Sequence, residues 1–477
     1  MVGLTNGSSA PHTNGVNTHK SEEASWGFAT RAIHVGSEPS SETGAVIPPI
    51  SLSTTFKQNG VGNHKGFEYT RSQNPSRAAL EAMLASIETG GANALAFASG
   101  SAATATVIQS LGADAHIIAV NDVYGGTWRY MMRVAKELSG LEVGWVNPEG
   151  SVEEVRAALR PNTKVRFTLS FTDDRLTRRL LADMVRIADK SPSSPAFSPR
   201  DLRPPDRDIR AASGRDREPQ LPPDAPPRPR RQHFPLALLR LPLLPIPLPN
   251  GTTLPGADIV LHSLTKYING HSDVLLGAVV LPPFSPVLAR LTFLQNAHGA
   301  VPSAFDCYLA QRGAKTLQLR MQAAGASALL LAQALQRHPA VAEVIYPGLG
   351  THKRHAVAWR SLSPHARRWI AKLPGVGADG AGDFPYSGIV SFRLRGEAQA
   401  LRFLEELRIF TLAESLGGVE SLAEHPATMT HSSIPEAERE ERGITGGLVR
   451  MSVGVEDAED LIRDALRALE IASALPN

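Results

Sequence analysis

The sequence predicts an α/β fold in which a large domain on a mostly parallel sheet precedes a smaller α+β C-terminal domain. Three observations carry that expectation. Between Trp26 and Lys164, short uniformly apolar segments alternate with runs of helical spacing, the pattern of parallel strands buried on both faces. Near the C-terminus, Gly388 to Arg395 instead alternates Ile389, Ser391 and Arg393 with Val390, Phe392 and Leu394, as a half-exposed antiparallel strand does. With 477 residues, 42 % of them hydrophobic, the chain is long enough for two or three packed units.

In chain order, residues 1–25 read as a disordered tail, because Met1 to Glu23 is polar and lacks the apolar run of a signal peptide. Residues 26–85 read as an N-terminal arm ending in a helix over Pro75 to Glu88, with Ala79, Leu80, Met83, Leu84 and Ile87 at helical spacing. The large domain spans 86–312. Its strand Ala94 to Ala98 leads through Ser99-Gly100-Ser101 into a helix over Ala102 to Leu111. Strand His116 to Val120 follows, then a helix over Trp128 to Leu138 and strand Glu142 to Val146. From about Val165 to Pro255 the periodicity is lost, and Ser191 to Pro255 holds 17 of the chain's 36 prolines. Such runs form neither a buried strand nor a helix interior. Order resumes at Gly256 with strand Ala257 to His262 and helices over Val287 to Leu294 and Gln311 to His338. The C-terminal domain, 313–477, carries strands Val341 to Tyr346 and Leu448 to Val453 and closes on an amphipathic helix over Ala458 to Ala472.

Composition narrows function. Lys plus Arg number 49 and Asp plus Glu 46, a net charge of +3, which argues against a nucleic-acid or anionic-membrane partner. One cysteine, Cys307, excludes an intrachain disulfide framework and a Cys-based zinc or iron–sulfur site, and suits a reducing, cytoplasmic setting. The most apolar stretch, Phe234 to Pro249, carries Arg240 and five prolines and is too short to span a bilayer. His262, His271, His298 and His425 lack metal-ligand spacing, so no metal is expected.

Five motifs bear chemistry, and each has a plain structural alternative. Ser263-Leu264-Thr265-Lys266 follows a buried strand, where burial would lower a lysine pKa and free a nucleophilic amine; an ordinary surface lysine is the alternative. Ser99-Gly100-Ser101 opens a helix whose unpaired amides suit a phosphate, or is a tight turn. Tyr69-Thr70-Arg71 places a phosphate- or carboxylate-clamping arginine before a helix start at Pro75, or a surface arginine. Asp122-Val123-Tyr124-Gly125-Gly126 offers a ring for stacking, or a rim tyrosine. Arg450, in an apolar strand, must find an anion, whether ligand or salt-bridge partner.

Taken together and in this order, these motifs resemble the Cys/Met-metabolism family, the cystathionine lyases and synthases of the aspartate-aminotransferase-like (type I pyridoxal-phosphate) fold. The matching segments begin at Phe28 to Gly36, Pro48 to Phe56 and Asp122 to Thr127. They continue at His262 to Asp273, Ala413 to Leu422 and Arg450 to Gly454, so the likeness covers 27–164 and 256–477. Gly66 to Tyr69, Phe293 to Asn296 and Thr411 to Ser415 are most similar to the γ-cleaving branch. The resemblance implies that Lys266 carries the cofactor, pyridoxal 5'-phosphate, and moves protons on the substrate. By the same likeness Gly100, Ser101, Ser263 and Thr265 hold the phosphate, and Tyr124 stacks on the ring. Tyr69 and Arg71 would complete a neighbouring subunit's phosphate cup, with Asn296 approaching across the same boundary. Ser415 and Arg450 would bind the substrate carboxylate with Thr430 nearby, and Glu414 would tune substrate choice. A homodimer or homotetramer with shared sites follows, acting on a small amino-acid substrate. The implied reaction is carbon–sulfur cleavage in transsulfuration, turning cystathionine into cysteine, 2-oxobutanoate and ammonia. Cystathionine γ-synthase and β-lyase chemistry, or a catalytically impaired relative, are the alternatives.

The departure lies in 165–255. The family carries a Glu-Thr-Pro-x-Asn-Pro segment there and an Asp-Asn-Thr segment whose aspartate serves the ring nitrogen; neither is present. The flanks Ala158 to Lys164 and Gly256 to Lys266 match without drift, and Leu181 to Asp189 still has helical spacing. An abrupt loss between intact flanks points to a frameshift, a retained intron or a misplaced splice. A divergent Pro/Arg-rich insertion and a proline-rich recognition segment are the other readings.

Overall fold

The computed structural model describes residues 26–88, 90–120, 123–146, 152–167, 246–247, 253–254, 258–432, 435–441 and 443–474. The expectations for residues 1–25, for most of 165–255 and for the helix over Leu181 to Asp189 lie outside them.

The arm contains α1 (Phe28–His34), the small hairpin of β1 (Gln58–Gly60) with β2 (Asn63–His64), and α2 (Pro75–Ile87). Helix α2 starts where the Asn74 side chain accepts hydrogen bonds from the Ser76 and Arg77 amides, with Pro75 at the first helical position. It buries Leu80, Met83, Leu84 and Ile87.

The large domain comprises β3 (Asn93–Phe97), α3 (Gly100–Gln109), β4 (His116–Val120), α4 (Gly125–Arg129), β5 (Glu142–Val146), α5 (Val152–Ala158) and β6 (Thr163–Phe167). A short antiparallel pair follows, β7 (Ile246–Pro247) and β8 (Thr253–Leu254), then β9 (Val260–Ser263) and β10 (Gly277–Leu281). Strand β4 is flanked in parallel by β5 and β6, as the apolar alternation required. A second ladder, β3–β10–β9, is antiparallel. Periodicity could not show that, because β10 is buried at every position and burial on both faces hides strand direction. Gly277 lets β10 run against the start of α3: a Cβ there would strike the Ser99 carbonyl. The helix expected over Trp128 to Leu138 begins earlier, as α4, and widens into a π-helical turn over Tyr130–Lys136.

Beyond α6 (Leu288–His298), the long helix expected over Gln311 to His338 is two, α7 (Ala304–Ala314) and α8 (Leu317–Arg337). The break falls where Gly313 is pressed onto the Asn269 backbone and Thr316 Oγ1 donates to the Gly313 carbonyl at 3.1 Å. Helix α8 joins two cores. Its first half places Leu317 and Met321 with Leu80, Leu84 and Leu276. Its second half places Ala328, Leu331 and Leu335 with Val390, Phe392 and Leu469. Each such large side chain contributes roughly 1.5–3 kcal/mol by burial, so one helix is anchored in both cores.

The C-terminal region contains β11 (Val341–Ile345), α9 (His355–Ser361), α10 (Pro364–Ile370), β12 (Ile389–Leu394), α11 (Glu397–Glu406), β13 (Thr411–Leu412), β14 (Leu422–Glu424), α12 (Glu436–Glu441), β15 (Leu448–Ser452) and α13 (Ala458–Ser473). Its five-stranded sheet has the order β11–β12–β15–β14–β13, antiparallel except between β13 and β14. Strand β12 buries Val390, Phe392 and Leu394 and half-exposes the residues between them, as its alternation foretold.

Candidate active site

Strand β9 ends at Ser263, and the next seven residues form one tight turn. The Leu264 amide donates to the Leu276 carbonyl at 2.9 Å, and Thr265 Oγ1 accepts the Leu276 amide at 3.0 Å. The Gly270 amide closes back on the Lys266 carbonyl at 2.8 Å. Arg320 reaches under this turn from α8. Its Nη1 donates to the Tyr267 carbonyl at 2.7 Å, and its Nη2 to those of Ile268 and Gly313 at 3.1 and 2.8 Å. Burial pulls the Arg320 pKa down to about 10. From the other side the Val419 amide donates to the Gly270 carbonyl at 2.8 Å. Gly417, at φ +77°, passes so close that a Cβ would lie 2.8 Å from the Tyr267 amide nitrogen. The Lys266 backbone is thus gripped between α8 and the 417–419 loop.

Lys266 Nζ donates to Ser415 Oγ at 2.6 Å. Burial lowers the Lys266 pKa and the Arg450 charge lowers it further, while Glu424 and Glu414 pull it back up. Ser415 has φ +94°, a left-handed conformation costly for a residue with a side chain. It is held there by Arg450, whose Nη2 donates to the Ser415 carbonyl at 2.8 Å. Arg450 Nη1 pairs with Glu424 Oε1 at 3.0 Å, and Thr430 Oγ1 donates to the same oxygen at 2.9 Å. The β14–β15 register sets Glu424 directly opposite Arg450. Burial pushes the Glu424 carboxyl up, opposed by Arg450 and Thr430. Glu424 Oε2 is buried with no hydrogen-bond partner among the described residues. The Glu414 charge pushes the pKa of Lys266, Glu424 and Arg450 upward alike.

At the start of α3, Gly100 lies against Ser263: a Cβ on it would meet the Ser263 Cβ at 3.5 Å. Ser99 Oγ accepts the Ala102 amide at 3.0 Å, which leaves the Gly100 and Ser101 amides without partners among the described residues. Tyr124 is exposed at the start of α4, its ring laid against Gly126. Thr265 differs from its companions, since its hydroxyl is engaged by the Leu276 backbone.

Tyr69, Arg71 and Asn296 form a second cluster. The Arg71 guanidinium stands 5.3 Å from the Tyr69 ring centre, and its Nε donates to Asn296 Oδ1 at 3.1 Å. Buried Arg77 holds the backbone beneath, donating to the Thr70 and Ser72 carbonyls at 3.1 and 2.6 Å. No hydrogen bond or ion pair among the described residues links this cluster to Lys266. Three of the four histidines singled out in the sequence are otherwise engaged: His262 on Glu88, His271 on the Asn269 carbonyl, and His425 on Thr428 and the Gly446 carbonyl.

The structure brings together Lys266, Ser415, Thr430 and Arg450, all named from the sequence, and adds Glu424 and Arg320, which sequence reasoning did not name. Strand register reveals the first and a helix packing under a turn the second; neither leaves a local motif.

The model of the family described as "Cys/Met metabolism PLP-dependent enzyme" matches residues 29–193, 245–367 and 383–470. Its match enters the 165–255 stretch from both ends and leaves 194–244 unmatched. Cystathionine gamma-lyase of Bos taurus is 41 % identical over 458 residues, covering 94 % of this chain and 94 % of that protein. Cystathionine beta-lyase of Coxiella burnetii is 37 % identical, covering 92 % and 97 %. The crystal structure of cystathionine gamma-lyase from yeast superposes with a TM-score of 0.71 at 38 % identity, covering 94 % of this chain and 99 % of that one. No helix among the described residues is long and apolar enough to cross a membrane.

Proposed function

The chain belongs to the Cys/Met metabolism PLP-dependent enzymes, amino-acid lyases whose cofactor is pyridoxal phosphate, and from that membership we propose that it cleaves cystathionine at the γ-carbon–sulfur bond. The products are cysteine, 2-oxobutanoate and ammonia. The observation that carries this reading is the desolvated Lys266 amine, 2.6 Å from Ser415 Oγ and beside the ion pair of half-buried Arg450 with buried Glu424.

The residues present fit the cofactor at two ends. An amine of lowered pKa suits its carbonyl carbon. The unpartnered amides of Gly100 and Ser101, with the hydroxyls of Ser101 and Ser263, suit its phosphate. Thr265 shapes that cup through Leu276 and shares its hydroxyl with the phosphate. Bound there, the cofactor withdraws electrons from the substrate Cα and makes its proton acidic. Lys266 removes that proton and returns it along the substrate chain. Arg450 holds the α-carboxylate with Ser415 beside it, and Thr430 steadies the carboxylate behind them. Tyr124, exposed at the start of α4, would stack on the cofactor's ring, and Glu414 would tune substrate choice.

Arg71 and Tyr69, held by Asn296 and Arg77, would reach the phosphate of a neighbouring subunit. The assembly is then a homodimer with shared sites, paired into a homotetramer. The buried lone thiol of Cys307 fits a reducing, cytoplasmic setting.

Incubation with cystathionine tests the reading. Cysteine with 2-oxobutanoate is the outcome expected of γ-cleavage. Homocysteine with pyruvate assigns β-cleavage instead.

A further inference from the structure

We propose that Glu424 is the positioning residue that aims Arg450 at the substrate carboxylate, acting through its reach across the β14–β15 register. This assignment rests on the reading of Arg450 as the carboxylate-binding residue. A guanidinium has five N–H donors in a rigid plane, so two contacts on different nitrogens fix the direction of the rest. Here Nη1 is held by Glu424 Oε1 at 3.0 Å and Nη2 by the Ser415 carbonyl at 2.8 Å. Nε–H and one hydrogen on each terminal nitrogen remain. Two parallel donors are what a carboxylate takes bidentately.

Glu424 is itself immobilised. It is 1 % exposed, lies opposite Arg450 in the strand register, and accepts from Thr430 Oγ1 at 2.9 Å on the same oxygen that holds Arg450. Among the described residues its side-chain hydrogen bonds converge on Oε1, and Oε2 is buried without a partner. A counter-ion optimised for charge would offer both oxygens to the fork, as bidentate Arg–carboxylate pairs do. This one engages a single nitrogen and leaves the other for the Ser415 carbonyl. Ser415 keeps its left-handed backbone while holding Lys266. One arginine therefore joins the carboxylate-binding donors to the residue that holds the catalytic amine, and Glu424 sets its angle.

Reach and charge are separable by substitution. Glu424→Gln keeps the length and an acceptor oxygen but removes the charge. Glu424→Asp keeps the charge but withdraws the carboxylate by one methylene. The probe is L-alanine, which has the α-carboxylate and no γ-sulfur to lose, titrated calorimetrically into the cofactor-loaded full chain. Glu424→Asp is expected to weaken L-alanine binding roughly tenfold, and Glu424→Gln to stay within about threefold of wild type. On cystathionine, Glu424→Asp should raise KM more than it lowers kcat. Wild-type affinity in Glu424→Asp overturns the assignment, as does a weakening in Glu424→Gln at least as large as that in Glu424→Asp, because reach would then not be the property that sets Arg450. If the wild-type chain binds no L-alanine, the amino-acid-lyase reading falls and takes this assignment with it. Intact wild-type binding with an unaffected Glu424→Asp sinks the Glu424 role alone.

Discussion

Lys266 and Ser415 meet at 2.6 Å although 149 residues separate them, one at the end of a large-domain strand and the other on a loop of the C-terminal sheet. The contact depends on supports from both sides. Arg320 and Val419 fix the turn that carries Lys266, and Arg450 fixes the strained backbone of Ser415. The amine is therefore placed by the junction of two cores rather than by its own strand, and a change in either core is felt at its tip.

Lys266→Ala should abolish borohydride-trappable cofactor and lower turnover at least about 10²-fold, the scale of a lost proton-transfer group. Trapped cofactor persisting in this variant would assign attachment to another lysine. The pH dependence has a definite sign. Burial and the Arg450 charge both favour the neutral amine, so wild-type trapping should proceed below the pH at which an ordinary lysine reacts. Arg450→Met removes one of those causes and leaves Glu424 and Glu414 unopposed, so its trapping profile should move to higher pH. A profile unmoved or shifted downward contradicts this balance of charges around the amine.

The proposed shared-site arrangement predicts complementation. Arg71→Ala should lose turnover because it damages a neighbour's phosphate cup, while Lys266→Ala damages its own subunit's site. Co-refolded in equal amounts, the two inactive variants form heterodimers in which one site of two is intact. Activity should return to about a quarter of wild type, from half the dimers with half their sites. A mixture as inactive as its components places Arg71 and Lys266 in the same subunit's site.

The legible part of the fold was the part with a period. The strands His116–Val120 and Glu142–Val146 and the alternation of β12 follow directly from apolar spacing. Strand β10 escaped because Gly277–Leu281 has no polar face to mark its direction. Lys266 and Arg450 could be singled out because one follows a buried strand and the other is a charge within an apolar one, while the roles given to them rest on the family resemblance. Glu424 was not, because its significance lies in facing Arg450 across a ladder. Asp464 was hidden similarly: on an amphipathic helix it looks like a solvent-facing residue, yet it is 5 % exposed.

Asp464 supplies a stability prediction. It accepts the amides of Arg408 and Ile409 at 3.0 and 2.8 Å, with Phe410 close behind, and pairs with Arg467 at 2.9 Å. These residues lead into β13 and on to Glu414 and Ser415. Burial alone would raise the Asp464 carboxyl, but the amides and Arg467 outweigh it and hold its pKa below the ordinary value. A depressed folded pKa contributes stability above the unfolded value, near pH 3.9, that is lost as pH falls through the folded one. Asp464→Asn should therefore cost about 1.5–3 kcal/mol at pH 7, and the gap to wild type should close in acid below that value. Urea midpoints at neutral and acidic pH check both halves. A gap independent of pH would mean that the carboxylate charge is not what the amides recognise.

The last prediction concerns residues 194–244. The family model matches up to residue 193 and again from 245, so the unmatched segment is bounded sharply on both sides. Among the described residues β6 pairs only with β4, and β9 only with β10, which leaves one edge of each strand without a neighbour. The chain between those two edges is where the family carries its Asp-Asn-Thr segment, and runs such as Pro222-Pro223-Asp224-Ala225-Pro226-Pro227 cannot take a place in a central ladder, because proline donates no amide. Asp206 and Asp208 lie in the unmatched segment and have no context that recommends either for the ring nitrogen. The chain as written should therefore retain cofactor through Lys266 and the α3 amides yet turn over cystathionine at least about 10²-fold more slowly than a relative that carries the aspartate, the scale of a lost preorganised charge. Replacing 194–244 with the corresponding segment of the yeast relative should restore that factor. Sequencing the messenger should reveal a shorter reading that encodes an Asp-Asn-Thr strand. If the messenger encodes the chain as written, and its unmodified protein matches the yeast enzyme's turnover, another group serves the ring nitrogen and the segment is a tolerated insertion.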